Sequence, residues 1–90
     1  MRYSYDPLKK AANFTKHGLD FEDARQVIES EQTVTFEDNR FDYDEPRFIT
    51  LGMLGGKIVL IVTSETEAEI RIISMRKAEK NEQKIYYGNL

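Results

Sequence analysis

The stretch RFITLGMLGGKIVLIVTSETEAEIRIISM, residues 47–75, decides the fold. Its apolar runs have strand length, and the connections between them are too short for a crossover helix. Arg47 to Met53 reads as a strand. Gly55-Gly56 is a hairpin signal, because two adjacent residues that tolerate positive φ suit the tight turns joining antiparallel strands. Ile58 to Val62 is uninterrupted and β-branched, the pattern of a central strand buried on both faces. Glu65 to Glu69 makes an acidic turn. Ile70 to Met75 is the next strand, and strict alternation sets Ile70 and Ile72 against Arg71, Ile73 and Met75.

Upstream, Gln32 to Glu37 alternates and adds a further strand, while Asp38 to Pro46 reads as an exposed acidic loop. The first thirty residues carry a helical period instead. Asp6 is a good N-cap with Pro7 at the first helical position. Leu8, Ala11, Ala12 and Thr15 share one face, and Gly18 ends the helix at the position that favours a left-handed residue. Asp20 caps a second helix whose apolar stripe is Phe21, Ala24, Val27 and Ile28. Arg2 to Tyr5 alternates as a short edge strand. Arg76 to Tyr87 has helix formers throughout. The expected fold is α+β: a four-stranded antiparallel sheet plus a short N-terminal strand, with two N-terminal helices and one C-terminal helix packed on one face.

Ninety residues with 40% hydrophobic and 32% charged content make one soluble domain, 1–90. No apolar run approaches a membrane span, and no secretory signal is visible. With no cysteine there is neither a disulfide framework nor a thiolate metal site, so a cytoplasmic protein is the expectation. Charge is uneven. Residues 31–70 hold nine acidic and three basic side chains, whereas 71–90 hold five basic and two acidic. The acidic balance opposes tight nonspecific DNA binding, yet Arg71, Arg76, Lys77 and Lys80 could build a local basic site.

The single histidine, His17, sits beside Lys16 at the end of the first helix. It has two readings: a helix terminus complementing the dipole, or a general acid–base group in the pH range where imidazole titrates. Arg71, inside an apolar strand, must face solvent, a carboxylate such as Glu22 or Glu82, or an anion. Arg76 and Lys77, at an expected strand-to-helix junction, could bind phosphate with unpaired backbone N–H groups. Asp38, Asn39, Asp42, Asp44 and Glu45 offer oxygen ligands suited to calcium, though without EF-hand spacing; a solvated loop is the competing reading. Tyr86 and Tyr87 suit either base stacking or core packing. No P-loop, dinucleotide fingerprint or nucleophile elbow is present.

Tyr5-Asp6-x-x-Lys9-x-x-x-Asn13-x-x-Lys16-His17-Gly18-x-x-Phe21-Glu22-x-Ala24 resembles the opening of the BrnT toxin family. Glu45-x-Arg47-Phe48-Ile49-x-x-Gly52 continues the likeness, as does Ile70-Arg71-Ile72-Ile73-Ser74-Met75-Arg76-Lys77-Ala78 with Glu82 and Tyr86. The resemblance implies a RelE-like fold and a type II toxin that inhibits translation as a ribonuclease needing no metal or cofactor. A BrnA-like antitoxin would be its partner, touching operator DNA on its behalf, and a toxin dimer could form in the complex. It further implies that His17 moves protons, that Arg71 and Arg76 bind the scissile phosphate, and that Lys9, Lys16 and Lys77 hold RNA. One departure stands out. Family members often carry an arginine soon after the Val-Thr of the central strand, whereas Val62-Thr63 here precedes Ser64, Glu65, Thr66 and Glu67. That departure supports an alternative, a catalytically weak module acting in antitoxin binding and operon autoregulation.

Overall fold

In a computed structural model, which describes residues 2–40 and 44–90, the sheet is organised around one long central strand. In chain order the elements are β1 (Arg2–Tyr5), α1 (Pro7–His17), a 3-10 turn (Phe21–Asp23), α2 (Ala24–Ile28), β2 (Val34–Glu37), β3 (Arg47–Leu54), β4 (Lys57–Glu65), β5 (Glu69–Lys77) and α3 (Lys80–Gly88). The strand order is β1-β5-β4-β3-β2. Strands β2 to β5 pair antiparallel with their neighbours. β1 adds to β5 in parallel. The expected four-stranded antiparallel sheet therefore gives way to a five-stranded mixed one. β1 and β5 are far apart in the chain, so no tight turn fixes their direction as it does between β3 and β4. Gly55 and Gly56 take φ of 58° and 79° in the β3–β4 turn, as their sequence required.

Helices cover both faces of the sheet rather than one. On the first face Phe21, Ala24 and Val27 pack with Val59, Ile61, Ile70, Ile72 and Met75. On the second, Ala78 and Tyr86 pack with Ile49, Leu51, Ile58 and Leu60. Tyr86 is 1% exposed, and its hydroxyl donates to the Gln32 carbonyl at 2.9 Å, so it is a core residue. Gly52 lets α2 lie close to β3: a Cβ there would stand 2.5 Å from Val27 Cγ1. The second helix is shorter than expected, because the chain after Asp20 first makes the 3-10 turn. The C-terminal helix begins at Lys80, since β5 extends through Arg76 and Lys77.

A β-bulge decides which side chains share a face. Thr63 pairs with Ile72 and Val62 with Ser74, which leaves Ile73 as the extra residue. Strict alternation placed Met75 with Arg71. The bulge instead returns Met75 to the side of Ile70 and Ile72, where it is fully buried. By the same shift Arg71 and Arg76, five residues apart, share the second face. Among the described residues, no helix is long and apolar enough to cross a membrane.

Candidate functional site

α1 is built as its sequence demands. The Asp6 carboxylate accepts from the Leu8 N–H at 2.8 Å, and Gly18, at φ 69°, closes the far end. Asn13 fixes this helix to the sheet. Its Oδ1 accepts from the Met75 N–H at 3.1 Å, and its Nδ2 faces the Leu19 carbonyl at 3.3 Å. β1 ends opposite Ile72, so beyond that point β5 has an open edge. Asn13, 8% exposed, supplies an acceptor there in place of a neighbouring strand. Sequence reading took Asn13 only as part of a motif; a polar residue amid an otherwise exposed helix carried no separate signal of burial.

The anchoring swings Lys9 over the end of the sheet that α3 leaves uncovered. A cleft of about 420 Å³ opens there, lined by Lys9, Asp44, Glu45, Arg47, Ser64, Arg71 and Ile73. Its floor is a cross-strand row: Arg47 pairs with Ser64, and Ser64 with Arg71. Two strand spacings, roughly 10 Å, separate the arginine backbones, and all three side chains lie on the second face. Ser64 is 6% exposed and forms the base of the row. Arg71 is exposed and, among the described residues, makes no ion pair or side-chain hydrogen bond. Lys9, likewise exposed, also makes none. The cleft thus gathers three cations within reach of one another on a chain of net charge -3.

Of the residues singled out in the sequence, this cleft brings together Lys9 and Arg71 with Asp44 and Glu45 of the acidic loop. It adds Ser64, which no local pattern had identified, and Arg47, which stood in a family motif without a role, because their alignment depends on strand register. His17 and Lys16 do not line it. Eight residues of helix put His17 about 12 Å along the axis from Lys9. Lys16 is seven residues on, in the same stripe as Lys9.

Arg76 is engaged elsewhere. Its guanidinium forks onto Glu82, with both N–H···O distances at 2.8 Å. It also donates to the Lys77 carbonyl at 3.3 Å. The hydrogen bonds to Glu82 raise the pKa of Arg76, and the same guanidinium holds the Glu82 carboxyl below its ordinary range. Glu82 further accepts from the Glu79 N–H at 2.8 Å, completing a capping box at the start of α3. The expected phosphate site of unpaired N–H groups beside Arg76 and Lys77 is therefore replaced by a helix start closed with carboxylates. Lys77 lies by a separate groove with Lys57, Gln83 and Tyr87. A side-chain hydrogen bond with Lys57, and after it the Lys57 charge, lowers the pKa of Lys77.

The acidic loop divides as well. Asp38, 5% exposed, is forked by Arg40 at 2.9 and 3.0 Å, while Asp44 and Glu45 face the cleft. Asp42 lies outside the described residues, and among those described no cluster of three or more His, Asp or Glu is placed to hold a metal.

The cleft sets two strand-borne guanidinium groups, a helix-borne ammonium and a buried hydroxyl beside two carboxylates, and groups of the first three kinds can hold an anion. A comparison with protein families agrees with that chemistry. The family described as "Ribonuclease toxin, BrnT, of type II toxin-antitoxin system" matches residues 5–82. No individually curated protein matches the chain. The match takes in the whole cleft and most of the chain, and this protein belongs to the BrnT family of ribonuclease toxins of type II toxin–antitoxin systems.

Proposed function

We propose that this chain is a metal-independent endoribonuclease on a RelE-like scaffold, acting in the cytoplasm to stop translation and neutralised by a BrnA-like antitoxin. The observation that supports this reading is the convergence of Lys9, Arg47 and Arg71 on one cleft. RNA cleavage by its own 2′-hydroxyl needs a phosphate held in line and its developing negative charge offset. Arginine does both, because its guanidinium stays protonated and forks onto phosphate oxygens. Arg71 binds the scissile phosphate from β5, Arg47 supports it from β3, and Lys9 holds the adjoining backbone. With three cations in place, the charge that a metal ion would offset is met by side chains.

Lys16 continues the Lys9 stripe, and with His17 it contacts RNA beyond the reacting bond. Arg76 ties α3 to the sheet. Lys77, with Lys57, binds RNA at the other end of β4. Operator DNA is reached only through the antitoxin, in a complex that can hold a toxin dimer.

The test is cleavage of RNA, with and without ribosomes, in EDTA. The parent should cleave and arrest growth on expression, and Arg71→Ala should lose both. Equal toxicity of parent and variant would sink the assignment. A second reading keeps the scaffold and removes the chemistry: a binding module acting in operon control. The acidic end of β4, where Glu65 follows Ser64, favours it by repelling RNA next to the cleft. A purified parent that binds antitoxin and leaves RNA intact in both assays would establish that reading instead.

A further inference from the structure

The cleft holds two carboxylates that a site for anion binding alone has no use for. Asp44 and Glu45 line it beside Lys9, Arg47 and Arg71. A carboxylate near a bound phosphate repels it, unless it neutralises an arginine or takes part in the reaction. Glu45 does not do the first: among the described residues it makes no ion pair or hydrogen bond. Its backbone is nevertheless held. Glu45 precedes Pro46, which restricts it to extended conformations. The Pro46 carbonyl accepts from the Glu65 N–H at 3.2 Å, so the chain is already tied to the end of β4. The chain bends at Glu45 just before β3 begins, and this brings Glu45 into the lining of the cleft beside Arg47. Asp44 lies one residue further from this anchor.

We propose that Glu45 is the general base for RNA cleavage in this cleft, an inference that rests on the ribonuclease reading above. The carboxylate takes the proton from the 2′-hydroxyl as its oxygen bonds to phosphorus. The bond from phosphorus to the 5′-oxygen breaks, water supplies a proton to that oxygen, and Glu45 returns its own proton to solvent. The products are a 2′,3′-cyclic phosphate and a 5′-hydroxyl, with no oxidant, metal or further reactant. The charged groups facing Glu45 are Lys9 from α1, Arg47 from β3, Arg71 from β5 and the adjacent Asp44. The three cations hold the substrate phosphate and offset the charge that grows on it.

The experiment compares the parent with Glu45→Gln, Glu45→Ala and Asp44→Asn on a short RNA. It also measures binding to the same RNA carrying a 2′-deoxy cleavage site. Glu45→Gln should lower kcat about 100-fold or more, the scale of a lost general base, while KM and binding of the deoxy RNA change less than about threefold. A substrate with sulfur at the 5′-bridging position needs no proton on its leaving group. On it Glu45→Gln should remain as slow relative to the parent, because the defect lies in the attack. Recovery on that substrate would make Glu45 an acid and overturn the proposal. So would near-parent kcat in both Glu45 variants, a loss found in Asp44→Asn alone, or a loss accompanied by unfolding in circular dichroism. A parent that cleaves no RNA would remove the ribonuclease reading itself, whereas an active parent with active Glu45 variants would remove only this inference.

Discussion

Arg71 and Arg76 lie on the same strand and, because of one bulge, on the same face, yet they do opposite things. At one end of that face α3 covers Leu60 and Ile58, and Arg76 is locked onto Glu82. At the other end, among the described residues, no helix covers Ser64, and Arg71 stands exposed over a cleft. Four residues of β4, or roughly 13 Å, separate the two rows. The lesson is that residue type does not settle an arginine's role. The element that covers its end of the sheet does. A carboxylate on the covering helix turns one guanidinium into a tie, and the absence of a cover leaves the other for an anion.

The bulge that creates this contrast is its most sensitive point. Inserting one residue between Val62 and Thr63 gives Ile73 a partner on β4 and restores strict alternation along β5. Met75 and Arg76 would then exchange sides relative to Ile70 and Ile72, so a buried position receives a guanidinium or the whole strand slips. The expected outcome is loss of cooperative folding, seen as absence of a thermal transition in circular dichroism. A folded insertion variant would show that the two arginines do not depend on the bulge for their common face.

The next largest effect separates the two residues by readout. Arg71→Ala should reduce RNA cleavage by about 10²- to 10³-fold, the usual scale for removing a charge-stabilising donor. It should shift stability by less than about 0.5 kcal/mol, as for an exposed position. Arg76→Ala should reverse the pattern. It breaks a two-point, partly buried bond and should destabilise the fold by about 2 kcal/mol, measured by urea unfolding, with cleavage by the folded fraction retained. Matching losses of activity in both variants would break the comparison and return Arg76 to the site.

Asn13→Ala sharpens a smaller point, that α1 is set on the sheet edge by one side chain. The substitution leaves the Met75 N–H without an acceptor in a buried place and should cost about 1–2 kcal/mol. Because Lys9 rides on the same helix, hydrogen exchange at Met75 should rise together with KM for RNA. A KM that stays fixed would separate the edge cap from the cleft.

How much of this was legible in the sequence follows from which interactions are local. Asp6, Pro7 and Gly18 announced α1 because a cap acts within its own turn. Gly55-Gly56 announced the hairpin for the same reason. The parallel partner of β1, the bulge at Ile73 and the burial of Asn13 were not legible, since each is defined by a residue about sixty positions away or by register. The cleft was legible in half. Lys9 and Arg71 could be named as chemistry-bearing residues. Their meeting with Arg47 and Ser64 depends on a cross-strand row that no local pattern encodes. Arg76 misled for a related reason: helix formers continue from β5 into α3, and only the Glu79–Glu82 capping box marks where the helix starts.

The smallest expected effect concerns pH, and its sign distinguishes the two ends of the sheet once more. Arg76 lowers the pKa of Glu82 below its ordinary value of 4.5 in the folded state. A carboxyl depressed on folding contributes stability that is fully present above its unfolded pKa and is lost as pH falls through the folded one. The stability gap between parent and Arg76→Ala should therefore be widest near neutral pH and close in acid, below the usual carboxylate range. Glu22 and Glu69 are lowered too, by Tyr5 with Lys10 and by Ser4 with Arg2, but those groups remain in both proteins and cancel in the difference. Among the carboxyls lowered on folding, Arg71 acts on Glu69 alone and is the smallest of the causes there, so the gap between parent and Arg71→Ala should stay small and nearly level across the same range. Urea unfolding of the three proteins from pH 7 down to pH 3 measures both gaps. A gap for Arg76→Ala that does not narrow in acid would mean that its loss is one of packing by the guanidinium stem, and that the tie to Glu82 adds little.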